Sequence, residues 1–339
     1  MGQSIRRFAA VCAASFLLLG GCGGAKETGS SQGSGGKSEK EKTYKIGVTQ
    51  IVEHPSLDAA RKGFQQALKD KGLSVEYDVQ IAQGDQSNNQ TIANNFVSDG
   101  VDLIFANSTP SAQAALNATK DIPIVFTSVT DPVGAQLVQS MEKPGGNVTG
   151  TTDTHPEAIP KTVQFIDKYI KGNRVGMVYN AGEQNSVAQI EQVKKAMQGT
   201  DLQIVPASVS TSAEVKQATE SLVGKVDCLY IITDNTVVSA LESVIQVANE
   251  HDIPLFVGEL DSVKRGGFAA YGFDYYDIGY EAGEMAAQIL QDGKKPADLP
   301  VQYPQKLKLV INKKAAQEMG IKLNPEWDSI AEYMPSLLR

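Results

Sequence analysis

The sequence reads as an α/β protein built of two similar Rossmann-like lobes, each a parallel sheet flanked by helices. From Thr43 onward, short strand-forming runs alternate with amphipathic helical patterns. The runs are apolar throughout instead of alternating, the mark of parallel strands covered on both faces. The series also repeats itself. "VDLIFANSTPSAQAAL" (101–116) lines up with "VDCLYIITDNTVVSAL" (226–241), "DIPIVF" (121–126) with "DIPLFV" (252–257), and "KIGVTQ" with "RVGMVY". A period of roughly a hundred residues is too long for a solenoid, and a chain of 339 residues is of two-domain size.

The elements follow in order. "YKIGVTQ" predicts a strand, and Leu57, Ala60, Phe64, Ala67 and Leu68 then recur at helical spacing. "SVEYDVQIA" is a second strand, followed by a helix over 86–98, the strand "VDLIFAN", a helix from Pro110 and the strand "IPIVFTS". The second series runs "RVGMVYN", helix 184–198, "LQIVPAS", helix 212–223, "VDCLYIIT", helix 236–250 and "IPLFVGE".

The N-terminus has a different character. Arg6-Arg7 precede an apolar stretch from Phe8 to Leu19 and then "LGGC", ending at Cys22. As a helix that stretch would span only about 18 Å, too short for a bilayer core of roughly 30 Å. Residues 1–21 therefore read as a signal peptide, and Leu19-Gly20-Gly21-Cys22 resembles a lipoprotein processing site at which Cys22 is lipidated. Residues 22–42 are Gly, Ser, Lys and Glu with almost nothing apolar, which reads as a flexible linker. Gly29-Ser30-Ser31-Gln32-Gly33 fits the G-x-S-x-G pattern there without the strand and helix that motif needs. With Cys12 leaving and Cys22 lipidated, Cys228 remains alone, so the mature chain forms no internal disulfide.

A net charge of −8, without a Lys/Arg cluster in the body, argues against nucleic acid as a partner. Polar residues collect at the carboxyl ends of the strands, where parallel α/β sheets bind ligands. They include Gln50, Asn107, Ser108, Thr109, Thr127 and Ser128 in the first series, and Asn180, Glu183, Asn185, Ser186, Asp234, Asn235 and Glu259 in the second. Helix starts at these corners suit a carboxylate, and Asp234 or Glu259 could take an ammonium. Phe105, Phe126, Tyr179, Tyr271 and Phe273 lie near strand ends and could face a flat side chain. The three histidines, His54, His155 and His251, have no metal-ligand spacing, and neither a P-loop nor a strand-borne G-x-G-x-x-G occurs. The expectation is binding without turnover: no enzyme, no metal and no cofactor.

Taken together, "HPSLDAARKGFQQAL" (54–68), "NSTPSAQAAL" (107–116), "VFTSVTDPVGAQLV" (125–138), "VYNAGEQNS" (178–186) and "AAYGFDYYDIGYEAGEMAAQIL" (269–290) resemble the substrate-binding proteins of ABC importers. These have the type I periplasmic-binding-protein fold. The nearest branch includes the tryptophan/tyrosine uptake systems.

The resemblance implies two lobes joined by three hinge crossings, near Thr151–Thr154, Gly272–Asp274 and Pro296–Pro300. Residues 43–152 with 274–297 would form the N-terminal lobe, and 153–273 with 298–339 the C-terminal lobe. It carries ligand contact onto Ser108, Thr109, Thr127, Ser128, Asn185, Ser186, Asp234, Asn235 and Asp274; Gln50, Tyr179 and Glu259 join them from position alone. It further implies a small solute, an aromatic amino acid first, delivered by a monomer to an ABC permease with its separate ATPase. The protein would sit outside the cytoplasm, lipid-anchored to the outer face of the cytoplasmic membrane or in a periplasm. Another solute (a branched amino acid, nucleoside or sugar), or a lipid-anchored ligand sensor on the same fold, is the alternative. Exposed acids such as Glu183 or Asp292 could meet transporter arginines.

Overall fold

The computed structural model describes residues 42–334, so the signal peptide, Cys22 and the linker up to residue 41 lie outside the described residues. The first sheet holds β1 (Thr43–Gln50), β2 (Ser74–Ile81), β3 (Leu103–Asn107), β4 (Ile124–Val129) and β5 (Val148–Thr152) in the order β2-β1-β3-β4-β5. All its pairings are parallel.

The second sheet comprises β6 (Arg174–Asn180), β7 (Gln203–Val209), β8 (Cys228–Ile231), β9 (Leu255–Val257), β10 (Ala269–Gly272), β11 (Lys308–Asn312) and β12 (Ala331–Met334). Their order is β12-β11-β10-β9-β8-β6-β7, with β10 and β11 antiparallel.

Period-2 burial explains why the strands of the first sheet are apolar throughout. Leu103 and Phe105 face one layer with Phe64, Ala282 and Met285. Ile104 and Ala106 face the other with Ile92, Phe96 and Ala112. The first layer is built by α1 (Pro55–Asp70) and α10 (Tyr275–Leu290), the second by α2 (Gln86–Ser98) and α3 (Thr109–Ala118). Phe64 stacks on Phe105 with ring centroids 3.8 Å apart. Helices α1 and α10 approach so closely that a Cβ at Gly63 would overlap the Tyr276 carbonyl, and one at Gly279 the Ala60 carbonyl.

In the second lobe, α4 (Ala158–Tyr169), α5 (Gln184–Ala196), α6 (Val215–Glu220), α7 (Asn235–Ser239), α8 (Leu241–Glu250), α9 (Leu260–Arg265) and α11 (Lys313–Glu318) surround one core. The helix expected over 236–250 is split at Ala240 into α7 and α8, and that expected over 212–223 is a 3-10 turn followed by the short α6.

The chain passes from the first sheet to the second after β5, and returns between β10 and α10. The third passage lies beyond the expected Pro296–Pro300. Thr149 Oγ1 donates to the Leu299 carbonyl, Gln302 N to Gly150, and Thr152 N to Gln302. Residues 299–302 therefore still run along β5. Pro296–Asp298 form a 3-10 turn at that edge.

Candidate functional site

The carboxyl ends of the two sheets face one another, and polar side chains fill the seam. On the first side, Asn107 Nδ2 donates to Gln50 Oε1 (3.1 Å) and to the Leu57 carbonyl (2.7 Å), while Ser128 Oγ donates to Asn107 Oδ1 (2.9 Å). Three neighbouring strand ends are thereby tied together. Ser108 and Ser128 have φ of 122° and 57°, a left-handed backbone that non-glycine residues adopt at a cost of about 1–3 kcal/mol. Ser108 also caps α3, its Oγ accepting from Ser111 N.

On the second side, two buried carboxylates organise the wall. Asp234 accepts from Asn180 N and Ser186 Oγ, both at 2.6 Å, and from Val237 N at 2.8 Å. Glu183 accepts from Asn185 Nδ2, from the backbone and side chain of Asn235, and from the backbone and side chain of Thr236. Glu183 is only 4% exposed, so it is no surface acid awaiting a transporter.

The seam is closed. Ser56 Oγ, in the first turn of α1, donates to Glu259 Oε2 at 2.7 Å, and Gln189 Nε2 reaches Thr130 Oγ1 at 3.3 Å. Glu259 thus spans the gap to a helix N-terminus, where the free N–H groups favour an anion. Asp153, just after β5, accepts from Thr130 Oγ1 and from the buried Tyr275 hydroxyl. A cavity of about 510 Å³ opens along the seam between Val52 and Gln83–Gln86 on one side and Asn180–Glu183 on the other.

Ten of the expected ligand contacts are buried: Gln50, Ser108, Thr109, Thr127, Ser128, Asn185, Ser186, Asp234, Asn235 and Glu259. Thr127 lies away from the gap, since its hydroxyl pairs with that of Thr151, which donates to the Ile278 carbonyl of α10. Tyr179 is half-buried against the second-lobe core near Lys194. Asp274 is exposed and merely caps α10 through Tyr276 N. Both sit near strand ends, but Tyr179 packs against its own lobe's core and Asp274 lies exposed at the second crossing, between β10 and α10.

Four seam residues escaped the sequence reading: Ser56, Asp153, Gln189 and Tyr275. A signal existed for Gln189, which lies one turn beyond Asn185 on α5. Buried polar atoms without a partner in the protein at these corners include His54 Nδ1, Thr109 Oγ1 and Asn185 Oδ1. No cluster of potential metal ligands occurs among the described residues.

Burial sets the titration of the seam. It raises Asp153 to about 6, and Asp234 and Glu259 to about 7, while burial and then Arg265 lower His54 to about 4. The raised carboxyls bind more protons folded than unfolded, so their contribution to stability is lost as pH rises from their ordinary values through about 7. His54 works oppositely, its contribution being lost as pH falls from 6.5 through about 4. The free protein should therefore melt several degrees higher near about pH 5.5 than near about pH 8. Differential scanning calorimetry at constant ionic strength checks this, and a melting temperature that climbs toward pH 8 contradicts it.

The sequence profile of ABC transporter substrate-binding proteins matches residues 45–332. The chain belongs to this family. As a substrate-binding protein it works with an ABC transporter and acts outside the cytoplasm, and its two lobes have the type I periplasmic-binding-protein fold. It is 46% identical over 310 residues to the tyrosine-binding protein of Clostridioides difficile strain R20291, covering 88% of this chain and 89% of that one. A streptococcal ABC domain solved in complex with L-Trp is 36% identical, with a TM-score of 0.81 over 86% of this chain and 99% of that chain. A ligand-free, open substrate-binding protein from Clostridium difficile is 41% identical over the same shares, yet its TM-score is only 0.63. This substrate-binding protein thus superposes better on the L-Trp complex despite lower identity, in keeping with the hydrogen bonds that cross its seam.

Proposed function

We propose that the protein captures an aromatic amino acid between its lobes and passes it unchanged to its permease. The observation that carries this reading is the set of buried, unpartnered polar atoms contributed by both lobes: Thr109 Oγ1 and His54 Nδ1 from one, Asn185 Oδ1 from the other. Thr109 opens α3, where its unpartnered hydroxyl is a donor for the ligand's carboxylate. Asn185 Oδ1 only accepts, which suits the ammonium. Ser108, Ser128, Ser186, Asp234, Asn235 and Gln50 frame these atoms, and Glu259 fastens the lobes to each other. Relatives that bind tyrosine and L-Trp support the ligand class.

Residues 43–152 with 274–302 and residues 153–273 with 303–334 move as the two units, closing by population shift on binding. Cys22 carries the lipid that holds the protein, as a monomer, at the membrane, and two or more acyl chains give stable anchoring.

Calorimetric titration of the purified protein with tyrosine, tryptophan, phenylalanine, leucine, a nucleoside and a hexose tests the reading. Tyrosine or tryptophan should bind with a Kd near or below about 1 μM, roughly −8 kcal/mol, and be recovered intact. Heat from the sugar or nucleoside, with silence from every amino acid, defeats it.

A further inference from the structure

Resting on the aromatic reading above, we infer that His54 reads the polar edge of the ligand's ring. Its Nδ1 accepts the phenol O–H of tyrosine or the indole N–H of tryptophan, so the site prefers rings that carry a donor over phenylalanine.

His54 stands at the start of α1, where a side chain would ordinarily cap the helix, yet it makes no capping hydrogen bond. It is 5% exposed, and its Nδ1 has no partner in the protein. A buried nitrogen left alone costs free energy that a ligand group would recover. The neighbouring groups are already engaged. Glu183 is saturated by Asn185, Asn235 and Thr236. Asp58 receives Gln50 and Arg61. Arg265 is paired with Glu242 and the Val238 carbonyl. Apart from Arg61 Nε, the polar atom left open among these groups is the imidazole Nδ1.

Its protonation state gives Nδ1 its role. Burial keeps the ring neutral at neutral pH, with Arg265 adding to the effect. Asn235 stands beside the ring; a neutral imidazole has one N–H and one lone pair, and we assign the lone pair to Nδ1, the buried nitrogen without a partner. The unpartnered atoms then divide the ligand between them. Thr109 donates to the carboxylate and Asn185 accepts from the ammonium. His54, on the neighbouring strand's corner, accepts from the one remaining polar group. Tyrosine and tryptophan, the ligands of the two relatives, each carry a single donor on the ring.

The test compares tyrosine, tryptophan and phenylalanine by calorimetry on the wild type, His54→Phe and His54→Asn, with melting curves of the free variants. The wild type should bind tyrosine or tryptophan roughly tenfold or more tighter than phenylalanine. His54→Phe should weaken tyrosine and tryptophan roughly tenfold while leaving phenylalanine within about twofold. His54→Asn places an amide near Nδ1 and should restore part of the preference. If His54→Phe does not fold, the 15N shift of wild-type Nδ1 serves instead: it should move with tyrosine or tryptophan and stay put with phenylalanine. Equal binding of all three by the wild type, equal weakening of all three in His54→Phe, or an unmoved nitrogen overturns the inference and leaves the aromatic reading standing. Binding of none of the three overturns both.

Discussion

Replacing Gly279 with alanine should lower the melting temperature by roughly 6–12 °C, from a loss of about 3 kcal/mol at about 2–4 °C per kcal/mol. Helix α10 leaves the second lobe at the β10 crossing and packs along α1 of the first. The two backbones approach so closely that even a methyl at Gly279 would overlap the Ala60 carbonyl oxygen. That atom is backbone and cannot swing aside, so the helices must part. Gly283 tightens the same contact against the Ala67 Cβ and the Phe64 carbonyl. Parting the helices would also loosen Phe64 from Phe105 and shift Tyr275, whose hydroxyl meets Asp153 2.9 Å away in the seam. Gly146→Ala is the control: it has open space and no left-handed backbone, so it should change stability by less than about 0.5 kcal/mol. Calorimetric melting of both variants decides the matter, and a Gly279→Ala protein that melts with the wild type would mean the interface gives way freely. Because Gly63 lies in the same interface, Gly63→Ala and Gly279→Ala should not add.

Apolar runs and their repetition made the two-lobed α/β fold legible, because a strand covered on both faces has no polar alternative for its side chains. Leu103 through Ala106 is the clearest case, with successive residues entering opposite layers. What the runs could not convey was direction at their ends. Tyr179 and Asn180 are consecutive, yet only Asn180 N turns to Asp234 while Tyr179 packs against its own lobe. Asp234 and Asp274 each precede a helix and each cap it, so they look alike in sequence. One follows a central strand and is buried; the other follows the outer side of a crossing and is exposed. The contacts between lobes left no local trace either. Ser56 and Glu259 are separated by 203 residues, and no pattern around either one specifies the other.

Glu183 shows most sharply how a residue's surroundings decide its role, and Glu183→Ala should be the more costly change for binding. Five donors converge on this one carboxylate: Asn185 Nδ2, Asn235 N and Nδ2, and Thr236 N and Oγ1, at 2.6–3.2 Å. Removing it leaves these groups buried without an acceptor, at an expected cost of about 3 kcal/mol to stability. It also frees Asn185 and Asn235, so affinity for the amino acid should fall roughly tenfold to a hundredfold. Glu183→Gln provides the finer measurement. It keeps the volume and one acceptor but removes the charge that helps hold Asp234 protonated, an effect second only to burial. Asp234 should then titrate nearer its ordinary range in the folded protein, and the fall in melting temperature between about pH 5.5 and about pH 8 should become shallower than in the wild type. Simple disruption of the corner would weaken binding while leaving that slope unchanged. A Glu183→Gln protein with wild-type affinity would remove the carboxylate from the site's architecture altogether.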